Sequence, residues 1–296
     1  MTTILITGAS GALARKLIYK FSQDSNFEVT AVSSNPDKIV VPIRNVKYVS
    51  IDKLLICREL KKDFDFIIHT AFPRKFEVED MFKGSQIFEA VLLQAIATGT
   101  KNFINISSQS VYGNYRETPS SEYTQVNPQD IYALTKYHCE SIGLALAERK
   151  INYTNIRLAS LIGSEYPERV INKMINNAIK NNSITVMNDK DTFGYLHIND
   201  AVDGLYNFIK NSNPNEWKKI YNLGAISDYS ENLEYIANII KGLFASRGIE
   251  IKVTVNKQEK ANKLCLQNSE WFYKEANWEP HITLKTAIEQ IFKEIY

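Results

Sequence analysis

Ile4-Leu5-Ile6-Thr7-Gly8-Ala9-Ser10-Gly11-Ala12-Leu13-Ala14 decides the fold of this chain. Ile4 to Ile6 is a short continuous apolar run ended by glycine, the pattern of a strand buried on both faces. A helix follows over 12–21, with Leu13, Leu17, Ile18 and Phe21 at helical spacing. The turn between them carries the chemistry. Gly8 permits a tight reversal, and Gly11 lets the main chain approach a pyrophosphate-like anion. The helix N-terminus supplies free N–H groups and a positive dipole end. Ala14 is small enough for close helix–strand packing.

Working outward, strands read over 29–32, 46–51, 64–69, 103–107 and 153–158. Helices read over 54–62, 82–97 (closed by Gly99) and 131–149. Strands alternating with helices predict a parallel sheet covered on both faces: an α/β, doubly wound Rossmann architecture. After Leu158 the pattern loosens. Helices read over 170–180 and 232–245, and short strands over 184–187, 195–198, 219–223 and 251–255. This places a dinucleotide-binding domain at 1–160 and a smaller α/β, mainly substrate-binding or lid domain at 161–296. Parts of 195–226 are expected to return to the main sheet.

The chain has 296 residues, 44% hydrophobic and 23% charged, which excludes a disordered chain. Lys plus Arg is 35 against 33 Asp plus Glu, a net charge of +2. That balance makes no electrostatic case for nucleic acid or an anionic membrane. No apolar run approaches the ~18 residues of a membrane span. Cys57, Cys139 and Cys265 are odd in number, far apart and without a CxxC, so a reducing cytoplasm is the expected compartment. His69, His138, His197 and His281 are scattered without metal-ligand spacing, and no metal is expected.

Tyr132 and Lys136 lie one helical turn apart on one face. A tyrosine is a poor base, with an ordinary pKa near 10, and lowering it by ~3 units needs about 4 kcal/mol. One ammonium at ~4 Å in an effective dielectric of ~20 supplies about that amount. Alone, such a pair reads as an exposed salt-tolerant face. Ser107-Ser108-Gln109-Ser110-Val111-Tyr112-Gly113 changes the weighting. It follows a central strand, where ligands of a doubly wound sheet bind. Ser108 is placed to hydrogen-bond a substrate oxygen beside Tyr132.

In order along the chain, these segments resemble the extended short-chain dehydrogenase/reductase superfamily, in its NAD(P)-dependent epimerase/dehydratase group. The resemblance covers nearly the whole length. It rests on residues 7–14 as the cofactor loop and Asp65-Phe66-Ile67-Ile68-His69-Thr70-Ala71 as the fourth strand and its turn. It continues through residues 106–113, Tyr132 to Lys136, 195–202, 220–224 and Trp278-Glu279-Pro280. It implies an oxidoreductase or isomerase in which Tyr132 exchanges a proton with a substrate hydroxyl or carbonyl. Lys136 lowers the Tyr132 pKa and binds the nicotinamide ribose, and Ser108 orients the substrate oxygen.

The implied cofactor-binding residues are Gly8, Ser10, Gly11, Ala12, Leu13, Ser33, Ser34, Asn35, Asp52, Thr70, Ala71, Ser107, Tyr132, Lys136 and Leu158. The implied substrate-binding residues are Arg74, Ser108, Gln109, Ser160 and Arg169. The cofactor is NAD(P), leaning to NADP, because no acid follows the second strand at 33–35 to hydrogen-bond a ribose 2′-OH or repel a 2′-phosphate. The partner is a small molecule, with a nucleotide sugar in first place, and the resemblance allows a homodimer.

Three departures matter. The family's phosphate-contacting arginine falls on Phe193, an asparagine falls on Ser160, and the Asp-Glu pair of dehydratases falls on Gln109-Ser110. Arg74, Arg169 or Lys173 can replace the arginine. The Gln109-Ser110 pair argues against sugar 4,6-dehydration, which needs a carboxylic acid to expel water. The leading reading is hydride transfer at a sugar or sugar-nucleotide carbon. The second is a carbonyl reductase for a non-nucleotide small molecule. The third, a non-catalytic dinucleotide sensor, does not need Ser108, Tyr132 and Lys136 together.

Overall fold

A computed structural model describes residues 1–34, 36, 42–56, 63–73, 77–261 and 263–296. Its elements run β1 (Thr2–Thr7), α1 (Ala12–Ser22), β2 (Phe27–Ser33), β3 (Lys47–Ser50), α2 (Ile51–Ile56), β4 (Phe66–His69) and α3 (Val78–Thr98). Then come β5 (Asn102–Ser108), α4 (Ile131–Ala147), β6 (Asn152–Leu158), β7 (Ser160–Ile162), α5 (Val170–Asn181), β8 (Ser183–Val186), β9 (Thr192–Phe193) and β10 (Tyr195–His197). The chain finishes with α6 (Ile198–Asn211), β11 (Ile220–Leu223), α7 (Leu233–Ala245), β12 (Lys252–Val255), β13 (Leu264–Cys265), α8 (Glu270–Ala276) and α9 (Leu284–Ile295).

Among the described residues the main sheet is parallel and seven-stranded, in the order β11-β6-β5-β4-β1-β2-β3. The chain builds outward from β1 to β2 and β3, then restarts at β4 on the other side. The crevice at the carboxyl ends of β1 and β4 is therefore the switch point, where such sheets bind ligands. β11 pairs with β6, Ile220 opposite Asn155, so residues 220–223 sit in the main sheet. Residues 195–197 pair instead with β7, in a separate two-stranded sheet.

Successive side chains of a strand face opposite ways, and both faces here are buried. Leu5, Ile67, Phe103 and Tyr153 join Phe88 and Leu92 of α3 in one cluster. Ile4, Ile6, Ile68, Ile104 and Ile156 join Leu17 and Phe21 of α1 and Leu205 and Phe208 of α6 in another. That second cluster runs on through Ile175, Ile240 and Ile291, so the sheet and the C-terminal helices share one core. Burial on both faces explains why these strands read as continuous apolar runs.

The sequence reading differs from the structure in several places. The strand expected over 46–51 ends at Ser50, because the Ser50 hydroxyl accepts from the Lys53 N–H and starts a helix at once. That helix begins at Ile51 rather than Leu54, and residues 57–62 lie outside the described set. α6 is absent from the reading, although Ile198, Ala201, Val202, Leu205, Phe208 and Ile209 mark its buried face. The strands β7, β9 and β13 are of two or three residues, too short to carry a periodicity.

Candidate active site

The turn after β1 is held to the turn after β4 by two threonine side chains, Thr7 and Thr70. The Thr7 hydroxyl accepts from the Thr70 N–H at 3.1 Å and the Ala71 N–H at 3.2 Å, and shares a 3.1 Å hydrogen bond with His69 Nδ1. Thr70 Oγ1 donates back to the Thr7 carbonyl at 2.6 Å. Gly8 has φ +75°, and a Cβ there would stand 2.9 Å from both N and Cα of Ala71. Only glycine meets the left-handed backbone and the close approach together.

Gly11 caps α1 without a side-chain hydrogen bond, and the first turn of α1 carries no acidic side chain. The helix end is thus left to an outside anion.

The cavity at this point has a volume of about 240 Å³. Gly8, Ser10, Gly11, Ser33, Ser34, Thr70 and Ala71, named from sequence as cofactor residues, line it. Its other walls were not expected: Thr7, Val32, Ile51, Phe72, Pro73, Gly84 and Ile87. The structure brings the remaining cofactor residues there only in part. Ala12 and Leu13 are buried at the start of α1. Asp52 is exposed on α2, and its neighbour Ile51 is the wall. Ser107 turns its hydroxyl to Glu140 at 2.5 Å. Leu158 is buried opposite Ser108 in the β5–β6 register, outside the cavity lining. Asn35 and Arg74 lie outside the described residues.

Beside the groove, β5 ends at Ser108. Asp130 caps α4, accepting from the Ala133 N–H at 2.7 Å, and this start sets Tyr132 in the first turn. The Ser108 hydroxyl lies near enough to the Tyr132 phenol to favour its ionised form. Ser110 adds its N–H at 3.2 Å and its hydroxyl at 3.0 Å to Ser108 Oγ. Burial pushes the Tyr132 phenol above the usual tyrosine range, while Ser108 and the Arg169 guanidinium pull it back.

Lys136, 5% exposed, directs its ammonium to the Ile106 carbonyl at 2.8 Å. Desolvation lowers its pKa to about 8, so it remains largely charged at neutral pH. The cation acting on Tyr132 is Arg169, at the N-cap of α5.

On the far side of Ser108 the structure joins two expected substrate residues. Gln109 Nε2 donates to the Gly194 carbonyl at 2.7 Å and to Ser160 Oγ at 3.3 Å. Phe193 stands beneath the Lys263 ammonium, 5.7 Å from its ring centre.

Two buried arginines went unread. Arg157 forks onto Glu140 through Nε and Nη2, at 3.0 and 2.6 Å. Arg116 donates to the Gln109 carbonyl at 3.3 Å, while its Nε and Nη2 are buried without a partner among the described residues. Both stack on Tyr112. Only the neighbours of an arginine in space reveal such roles, and a single sequence lacks them.

The comparisons with known proteins agree with this picture. The model of the NAD dependent epimerase/dehydratase family matches residues 4–224. A dTDP-D-glucose 4,6-dehydratase of Dictyostelium discoideum is 26% identical over 271 residues. That match covers 80% of this chain, which spans 61% of the length of that relative.

Among solved structures, a UDP-glucuronic acid 4-epimerase of Bacillus cereus with UDP-glucuronic acid and NAD has a TM-score of 0.82 at 17% identity, covering 100% of both chains. A dTDP-glucose 4,6-dehydratase of Bacillus anthracis with NAD scores 0.80 at 18% identity, over 99% of this chain and 96% of that one. MoeE5 with UDP-glucose and NAD scores 0.81 at 16% identity, over 98% and 97%. At these identities the likeness is one of fold. Among the described residues no helix is long and apolar enough to cross a membrane.

Proposed function

The chain belongs to the NAD dependent epimerase/dehydratase family, of the extended short-chain dehydrogenase/reductase type, and on that premise we propose a dinucleotide-dependent epimerase or oxidoreductase acting at a sugar carbon of a nucleotide sugar. The observation that carries it is the placement of Ser108 at the end of β5 and Tyr132 in the first turn of α4, close enough to influence one another, beside a glycine-walled groove at the β1/β4 switch point.

The groove fits a dinucleotide. Its floor is a Gly8 that admits no Cβ, and an uncapped helix end with no competing carboxylate faces it. Gly8, Ser10, Gly11 and the first N–H groups of α1 hold the pyrophosphate, and Thr70 and Ala71 form the opposite wall. The nicotinamide, when bound, supplies hydride acceptance and donation.

The chain's own residues handle oxygen and protons. Ser108 orients the substrate oxygen. Tyr132 exchanges a proton with it, as an acid in the protonated state that burial favours. Lys136 keeps a positive charge near the nicotinamide ribose. Arg169 biases Tyr132 toward phenolate. Gln109 and Ser160 hold the substrate ring, and residues beyond 160 outside the main sheet form the substrate side.

Water loss is not part of this reaction. Gln109 stands where dehydratases carry an acid, and its amide is engaged by Gly194 and Ser160. A second reading, reduction of a small carbonyl compound without a diphosphate, is favoured by the uncharged Phe193.

The absence of an acid at Ser33 and Ser34 supports a modest NADP preference, with NAD usable. The relatives bound to NAD are the opposing consideration. Val78, Phe82 and Leu93 on α3 and Leu134 on α4 are exposed apolar groups on two helices that pack together, which supports a homodimer. A monomer by light scattering at micromolar concentration overturns that.

The test of the function is a binding screen of NAD, NADP, UDP and UDP- and dTDP-sugars. A ligand at 100 times its Kd adds about 2.7 kcal/mol of stability. Stabilisation by a nucleotide sugar over its neutral sugar is expected. Stabilisation by dinucleotide alone favours the small-carbonyl reading, and no dinucleotide effect removes both. NAD binding more than about tenfold tighter than NADP, a gap of ~1.4 kcal/mol, reverses the cofactor preference.

A further inference from the structure

Phe72 comes three residues after the end of β4 and lines the dinucleotide groove. The Lys136 ammonium lies 3.9 Å from its ring centre. The same ring meets Tyr132 edge-on, at 5.6 Å and 81°. The ammonium also donates to the Ile106 carbonyl at 2.8 Å. α3 leaves room for this seat: a Cβ on Gly84 would stand 2.6 Å from Pro73 Cδ and 3.4 Å from Phe72 Cε2.

The titratable groups near the ammonium do little to hold it. Cys139 and Glu140 lie on its own helix, and burial keeps the Cys139 thiol protonated. Glu140 is already forked by Arg157 and bonded by Ser107. From β4 comes His69, which burial keeps neutral. Tyr132, one turn back, carries a protonated phenol.

A buried ammonium without water needs a substitute for hydration. The negative face of an aromatic ring is one, and its attraction strengthens when water is excluded. A leucine of similar bulk has no such face.

We propose that Phe72 is a positioning residue for Lys136, its ring face and the Ile106 carbonyl forming a cradle that keeps the ammonium charged and fixed beside Tyr132. The cradle itself follows from geometry; its consequence for turnover rests on the relay read under the proposed function.

The test measures Lys136 directly, by pH titration of its 13Cε signal in lysine-labelled protein. It compares Phe72→Leu with Phe72→Tyr. The ammonium-to-amine ratio at pH 8 falls by about five- to thirtyfold in Phe72→Leu, the range from an exposed to a desolvated cation–π contact. Phe72→Tyr stays within about twofold of the parent. Phe72→Met, which removes the ring with a flexible side chain, stands in if the leucine variant is unstable.

Gly84→Ala pushes Pro73 and the ring aside, and its ratio falls as well. A Phe72→Leu or Phe72→Met protein titrating within about twofold of the parent overturns the proposal. The pH profile of turnover separates the two readings. If the Lys136 titration moves and the alkaline limb of kcat does not, the cradle stands and the role of the Lys136 charge near the nicotinamide ribose falls.

Discussion

At the groove, β1, the glycine turn and α1 occupy the first 22 residues, and the decisive contacts are main-chain ones. Across Tyr132 the construction is the reverse. Gln109 reaches Gly194, 85 positions away, and Ser160, 51 away, and Arg169 acts on Tyr132 from the end of another helix. The groove is built from backbone geometry around a glycine turn. The side across Tyr132 is built from side chains that the tertiary fold alone assembles. Dinucleotide binding and substrate binding should therefore fail separately.

The largest effect is expected where the two regions meet. Tyr132→Phe keeps the ring against Phe72 and removes only the hydroxyl. Turnover should fall by roughly 10²–10⁴, the contribution of a positioned acid or base, with dinucleotide Kd unchanged. Steady-state kinetics and calorimetry on one preparation decide it. Activity within a few-fold of the parent sinks the assignment.

A pair of variants then separates the regions themselves. Gly8→Ala forces a Cβ onto φ +75° and to 2.9 Å from the Ala71 main chain. Such strain is of order 1–3 kcal/mol, so dinucleotide affinity should weaken by about ten- to a hundredfold. Substrate KM at saturating dinucleotide should hold. Gln109→Ala removes the hydrogen bonds of Gln109 to Ser160 Oγ and to the Gly194 carbonyl, which keeps the Ser160 N–H, a loss of about 1–1.5 kcal/mol. Substrate KM should rise by about tenfold, with dinucleotide Kd within twofold. If either variant moves both constants equally, the two regions are not independent.

The same contrast explains what was legible. The alternation of strands and helices through Leu158 is a property of neighbouring residues, and burial on both sheet faces made each strand stand out. Gly8, Ser10 and Gly11 were readable because their roles are local. Ser33 and Ser34 were readable because they end a strand. Phe72, Pro73 and Gly84 were not, since a bulky ring at a strand end has no periodicity and its value lies in touching Lys136 across the groove. Asp52 illustrates the limit of pattern. The chosen residue is exposed, and its neighbour Ile51 forms the wall, because Ser50 starts the helix earlier than expected. Arg169 was chosen for its charge alone, and its influence on Tyr132 emerges only from the placement of α5.

The smallest expected effect probes the wall that joins β1 to β4. His69 is 1% exposed and packs against the rings of Phe88 and Phe103, which also touch each other. Thr7 Oγ1 already accepts two N–H groups, so its own proton is directed to His69 Nδ1 and the imidazole is neutral. Burial, and then the Lys136 ammonium, hold the His69 pKa down to about 3, against an ordinary 6.5. A histidine with a depressed native pKa is protonated first in the unfolded chain. Its stabilising contribution is therefore complete above pH 6.5 and is lost progressively as pH falls toward 3. The limiting slope is one proton, about 1.4 kcal/mol per pH unit. His69→Phe keeps an aromatic ring against Phe88 and Phe103 and removes the titration, while costing the Thr7 hydrogen bond at every pH. Urea unfolding at pH 6 and pH 5 isolates the slope from that constant loss. The parent should lose about 1 kcal/mol more than the variant over this interval. Parallel losses in the two proteins would mean that His69 is already solvated, and that the wall between β1 and β4 is open to water.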